Sequence, residues 1–278
     1  MINKLPSLQQ TIKENSLFTK KSLGQNFILD EMFLDKIVSC AFAAGENPAD
    51  FEVIEIGAGP GGLTRAILRA GVKRLVVVEK DSRCIPILNQ IKDVYGDRIT
   101  IIEADALKTD VRTLTNKPRK VIANLPYNIS AVLLTQWIKD IADFSSLTLM
   151  FQKEVAERIV AVPSTADYGR LSVIVQAFAS PQIKMLVPPE MFTPPPKVTS
   201  ALVHITPLAK PYDVDFTELE NVLKTAFLHR RKMLRKSLQS FGNVEEICKN
   251  LNINEQDRPE NLTVADFVNL TDFIKAKK

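Results

Sequence analysis

A chain of 278 residues can hold one large or two modest domains with a sizeable core, and 45% hydrophobic with 24% charged residues is the balance of an ordinary globular protein. The 36 Lys+Arg against 32 Asp+Glu leave a formal net charge of only +4, so any nucleic-acid signal must be local. Cys40, Cys84 and Cys248 lie far apart without CxxC spacing, and His204 and His229 are isolated, which excludes most metal sites and Ser-His-Asp schemes.

Residues 1–19 mix Lys, Gln, Ser and Asn with scattered apolar residues and read as a flexible arm. From Phe18 to Phe27 the sequence FTKKSLGQNF brings two lysines, Lys20 and Lys21, then Gly24-Gln25-Asn26-Phe27. A helix follows, with Asp30 as its N-cap and apolar spacing at Phe33, Ile37, Val38 and Ala41. That helix explains Asp30 but not the Gly-Gln-Asn-Phe before it. Phe51–Ile56 is a buried-strand candidate that runs into Gly57-Ala58-Gly59-Pro60-Gly61-Gly62, and Leu63, Ala66, Ile67 and Ala70 then mark one helix face. Strand, glycine loop and helix make the first half of a βαβ unit, and the loop lets backbone approach a ligand at a helix N-terminus. The next strand, Leu75–Val78, ends in Glu79, about 20 residues after the first glycine, where a carboxylate accepts from ribose hydroxyls.

Ile99–Glu103 is a third strand, ending in Ala104-Asp105, and Asp105 is placed either to accept from an adenine amino group or to N-cap the next segment. The fourth strand, Lys120–Asn124, stops abruptly in Asn124-Leu125-Pro126-Tyr127. Pro126 fixes its own φ and biases Leu125 toward extended geometry, so the Asn124 amide and the Leu125 carbonyl stand in a set relation beside the Tyr127 ring. Two acceptors and a flat ring at the carboxyl end of a strand can grip an exocyclic amino group and stack the base that carries it. A plain strand-end turn is the alternative. Ser145–Phe151 supplies a fifth strand and Gln152–Val160 a helix; Leu171–Phe178 fits strand or buried helix equally. Ile183–Val187 and Ala201–Ile205 are further strands, on either side of the proline-rich Val187–Lys197.

Pro207–Asp213 reads as a linker, after which helical patterns take over. In Leu223–Phe241 the apolar residues fall on one stripe, flanked by Lys224, Arg230, Arg231, Lys232, Arg235 and Lys236 without an acidic interruption. A solvated helix face is the ordinary meaning of such a run; six basic residues with no counter-charge favour a phosphate-facing surface. No run reaches transmembrane length and no signal-like apolar segment opens the chain, so a cytoplasmic location is expected.

The glycine loop alone fits NAD and S-adenosylmethionine equally, but a hydride-transfer site lacks its usual histidine in this half. GQNF, IGAGPGGLT, NLPYNIS, FQKEVAERI and PPEMFTPPPKVTSALV together resemble the small-subunit ribosomal RNA adenine N6,N6-dimethyltransferases, relatives of the erythromycin-resistance methylases, from about Lys20 to near Leu270. The resemblance implies an α/β fold: a Rossmann-like S-adenosylmethionine-dependent methyltransferase sheet of seven strands, the last antiparallel, over 20–207, with a small all-helical RNA-binding domain over 208–278. It places Gln25, Asn26, Ile28, Gly57, Gly59, Glu79, Lys80, Asp105, Ala106 and Asn124 at the cofactor. It assigns Asn124, Leu125, Pro126 and Tyr127 to catalysis, with Tyr127 on one face of the target base and Phe192 on the other. It implies S-adenosylmethionine as methyl donor, no metal, and a monomer acting on small-subunit ribosomal RNA in a pre-assembled subunit, at two adjacent adenosines of the 3′-terminal hairpin. A nicotinamide-dependent oxidoreductase, a non-enzymatic RNA-binding relative and a sibling acting on large-subunit RNA are the competing readings. The intact Asn124–Tyr127 run argues against the non-enzymatic one, and the TPPPKVTS segment leans toward the small subunit.

Overall fold

The computed structural model describes residues 5–17 and 25–277; Lys20, Lys21 and Gly24 of the first basic motif lie outside the described residues. The elements in chain order are α1 (Leu8–Glu14), β1 (Phe27–Ile28), α2 (Glu31–Ser39), β2 (Glu52–Ile56), α3 (Gly62–Arg69), β3 (Arg74–Glu79), α4 (Ile85–Tyr95), β4 (Ile99–Glu103), β5 (Arg119–Ala123) and α5 (Tyr127–Ile138). They continue with β6 (Ser146–Gln152), α6 (Lys153–Val160), α7 (Arg170–Gln176), β7 (Ala179–Val187), β8 (Phe192–Thr193), β9 (Ser200–Pro207), α8 (Phe216–Leu228), α9 (Leu234–Ser237), α10 (Val244–Leu251) and α11 (Val264–Ala276).

Seven strands form one sheet in the order β4-β3-β2-β5-β6-β9-β7. The strands from β4 to β6 run parallel, whereas β9 is antiparallel to β6, with Gln152 opposite Ser200. Every residue of β2 and β5 is buried, so their apolar residues stand on both faces of the sheet rather than alternating with polar ones. The chain builds outward from β2 through β3 to β4, then returns to place β5 on the other side of β2. That reversal opens a crevice beyond the carboxyl ends of β2 and β5, where the glycine loop and Asn124 both lie. A separate two-stranded pairing joins β1 to β8, with Phe27 opposite Thr193 and Ile28 opposite Phe192.

The expected flexible arm at residues 1–19 is not loose where it is described. Ser7 N-caps α1, and Leu8 and Thr11 are buried. Arg65 of α3, itself 6% exposed, donates to the Pro6 carbonyl at 2.6 Å and to Thr11 Oγ1 at 3.1 Å. A buried guanidinium needs acceptors, and the arm supplies them.

Two compact units divide the chain: residues 1–153 with 182–206, and 154–181 with 207–278. The second unit therefore differs from the 208–278 expected, because α6 and α7 belong with it. The ambiguous Leu171–Phe178 segment is mostly helix, and its buried Val173, Ile174 and Val175 give the unit apolar surface. Phe178 stacks 5.7 Å from Phe216, and the Leu208 amide donates to the Phe178 carbonyl. The single amphipathic stretch expected over Leu223–Phe241 is also interrupted: α8 ends at Leu228 and α9 begins at Leu234. Arg230, in the intervening turn, pairs with Glu260 at 2.9 Å and donates to the Thr165 and Ala166 carbonyls. Arg231, Lys232, Arg235 and Lys236 remain exposed.

Candidate active site

The glycine loop turns directly out of β2. Gly59 has φ of +54°, and a Cβ there would lie 2.9 Å from the Phe27 ring, so both conformation and space demand glycine. Its amide donates to Glu79 Oε2 at 2.7 Å, while Glu79 Oε1 accepts from the Asp81 amide at 2.7 Å. Glu79 is 6% exposed, and burial pushes its carboxyl up from its ordinary value while these amides hold against that. A carboxylate keeps acceptor capacity after two such bonds, and Glu79 lines the adjoining cavity.

Asp105, just past the end of β4, is an N-cap and an ion-pair partner that also lines the cavity. Its Oδ1 accepts from the Leu107 amide as an N-cap, and its Oδ2 lies 2.8 Å from Lys80 Nζ. The ammonium holds the Asp105 carboxyl below its ordinary value, so it stays ionised. At the end of β5, Asn124 Nδ2 donates to the Asn26 carbonyl at 3.2 Å, which ties the corner to the Gly-Gln-Asn-Phe segment. That segment is anchored at two further points. Gln25 Nε2 donates to Asp81 Oδ2 at 2.9 Å, and Phe27 and Ile28 pair with β8. Pro126, with φ of −55°, leads into α5, whose first residue, Tyr127, is half-buried with its phenol raised by burial and so neutral.

These groups surround one cavity of about 220 Å³. Every residue expected at the cofactor, from Gln25 through Ala106, lines it, together with Asn124, Leu125, Pro126 and Tyr127. Phe192 does not. It is 2% exposed, sits in an apolar cluster with Ile28 and Val187, and the strand alternation of β8 turns Thr193 outward instead.

Three residues of the site escaped the sequence reading. Glu55, 1% exposed on β2, reaches the cavity; Thr64 Oγ1 donates to its Oε2 at 2.6 Å, and its Oε1 has no partner. Burial pushes its carboxyl up to about 8. An acid inside an apolar strand run was the available signal. Asp81 is drawn down to about 2 by Arg83, with Gln25 assisting, and joins the amino-terminal segment to the end of β3. Ser200 meets the Tyr127 hydroxyl at 2.6 Å. Among the described residues, no group of three or more His, Cys, Asp or Glu could hold a metal ion, and no helix is long and apolar enough to cross a membrane.

The family model described as "Ribosomal RNA adenine dimethylase" matches residues 17–276. Proteins named "Ribosomal RNA small subunit methyltransferase A" are 46% identical in Novosphingobium aromaticivorans, over 95% of this chain and 96% of that one, and in Agrobacterium fabrum, over 97% and 98%. Among solved structures, a dimethyladenosine transferase from Plasmodium falciparum superposes with a TM-score of 0.77 at 28% identity, covering 89% of this chain and 97% of that one. The 23S rRNA methyltransferase ErmE shares the fold, with a TM-score of 0.67 at 21% identity over 90% and 100%. Likeness this extensive runs through both compact units and beyond any single motif, and the chain belongs to the ribosomal RNA adenine dimethylase family.

Proposed function

We propose that this enzyme transfers methyl groups from S-adenosylmethionine to the N6 of two adjacent adenosines in the 3′-terminal hairpin of small-subunit ribosomal RNA, as a monomer acting on a pre-assembled subunit. The observation that carries the reading is the tethering of Asn124. With one Nδ2 hydrogen donated to the Asn26 carbonyl, the amide is held in one orientation and its oxygen is offered as an acceptor to a substrate.

The cavity suits the donor. Glu79 offers acceptors for ribose hydroxyls and Asp105 for an adenine amino group, both on the cavity wall. S-adenosylmethionine supplies an already activated sulfonium methyl. The protein's task is then the acceptor, because an adenine N6 lone pair is delocalised into the ring. Accepting its two N–H protons at Asn124 Oδ1 and the Leu125 carbonyl favours a pyramidal nitrogen with its lone pair directed at the methyl. In-line transfer would form the N6–CH3 bond as the S–CH3 bond breaks, leave S-adenosylhomocysteine, and let the methylated N6 shed one proton to solvent. It therefore needs this positioning and electrostatic support more than a strong base. The base must leave its own stack to enter, and the Tyr127 ring replaces what it loses. Phe192 covers the opposite face only if β8 turns it out of its apolar cluster. The exposed Arg231, Lys232, Arg235 and Lys236 are offered to RNA phosphates.

Two measurements test the reading. Calorimetry should show S-adenosylmethionine binding that Glu79→Ala weakens. Hydrolysed small-subunit RNA from a methylation reaction should contain N6,N6-dimethyladenosine. NADH binding with no response to S-adenosylmethionine would overturn it.

A further inference from the structure

Tyr127 is held at both ends. Its backbone starts α5 immediately after Pro126, and its carbonyl accepts from Ser130 Oγ at 3.1 Å. At the far tip of the ring, the Tyr127 and Ser200 hydroxyls share a hydrogen bond of 2.6 Å. Ser200 is 0% exposed and opens β9, the antiparallel strand, opposite Gln152 at the end of β6. The antiparallel direction of β9 matters here: it brings the first residue of that strand to the sheet edge where β5 and β6 end. Ser200 therefore cannot touch a substrate, yet it grips the ring that lines the cavity.

We infer that Ser200 is a positioning residue for the target base, fixing the side-chain rotamer of Tyr127 and so the place of the ring on which that base stacks. The inference rests on the adenine-methylating reading above. Physically, a half-buried tyrosine free at its tip can move among staggered side-chain rotamers, and each arriving base would have to stop that motion. A bond at the tip removes this cost beforehand and sets the angle at which the exocyclic nitrogen meets Asn124. Burial raises the Tyr127 phenol, outweighing the Ser200 bond, which lowers it, so the hydroxyl is neutral at neutral pH.

The test is a double-mutant cycle of Ser200→Ala and Tyr127→Phe, assayed for methyl transfer to RNA. A second readout is the fluorescence of RNA carrying 2-aminopurine at the target position, which is quenched by stacking. Ser200→Ala should lower kcat/KM for RNA about fivefold, the effect of losing one hydrogen bond, and weaken the quench. S-adenosylmethionine affinity should stay at the wild-type value. In the Tyr127→Phe background, Ser200→Ala should cost nothing further, because the bond is already gone. Wild-type kinetics and quenching in Ser200→Ala, or the same loss in both backgrounds, would overturn the proposal. A wild-type protein that methylates no RNA would instead overturn the underlying reading.

Discussion

Asn124 is where local structure becomes chemistry. Its side chain is fixed by a backbone carbonyl from the other end of the fold, so truncation removes a preorganised acceptor without opening the core. Asn124→Ala should lower methyl transfer roughly 10²-fold or more, the scale of losing such a contact. Its far-ultraviolet spectrum and melting should stay close to wild type, and native-like turnover would make the corner a structural turn only. Glu55 makes a different prediction. Its ordinary value is 4.5 and its buried one about 8, so between those pH values the native chain keeps a proton that the unfolded chain has released. The stability linked to this group is full below about 4.5 and is lost as pH rises through about 8. Glu55→Gln mimics the neutral form. Melting curves from about pH 5 to about pH 9 should show wild type falling relative to the variant, and parallel profiles would contradict the buried neutral carboxyl.

At the scale of elements, what the sequence disclosed followed how local each signal was. The glycine loop and the Asn124–Tyr127 corner are punctuated by glycine and proline beside apolar runs, and their strands lie where expected, within a residue or two. Ser200 carried no signal, since its role depends on an antiparallel register that sequence spacing does not encode. The break between α8 and α9 was equally hidden. Apolar periodicity ran through it, whereas the turn is held by Glu260 and by the Asp257 carbonyl accepting from the Leu234 amide. That break separates two kinds of basic residue. Neutralising Arg231, Lys232 and Arg235 together should weaken RNA binding and reduce the log–log salt slope by about three units, one per lost phosphate contact. Arg230→Ala should leave that slope unchanged and lower thermal stability instead. The expected loss is at most about 1 kcal/mol, because the partly exposed pair is screened by solvent. Equal slopes for the triple variant and wild type would leave the basic turn as scaffold.

Across the whole molecule, the two compact units interleave in sequence, since residues 154–181 belong with the carboxyl-terminal helices. A linear reading places a boundary where composition shifts, and the shift at Pro207 is genuine; it could not reveal that an earlier helical pair packs with the later one. The central claim is nonetheless about the assembled protein and its substrate. It is tested most directly by transfer of tritiated methyl groups to unmethylated small and large ribosomal subunits side by side, followed by nucleoside analysis. The account predicts label in the small subunit alone, recovered as N6,N6-dimethyladenosine from two adjacent positions in the 3′-terminal hairpin. Label confined to the large subunit, or a product other than N6-methylated adenosine, would contradict it.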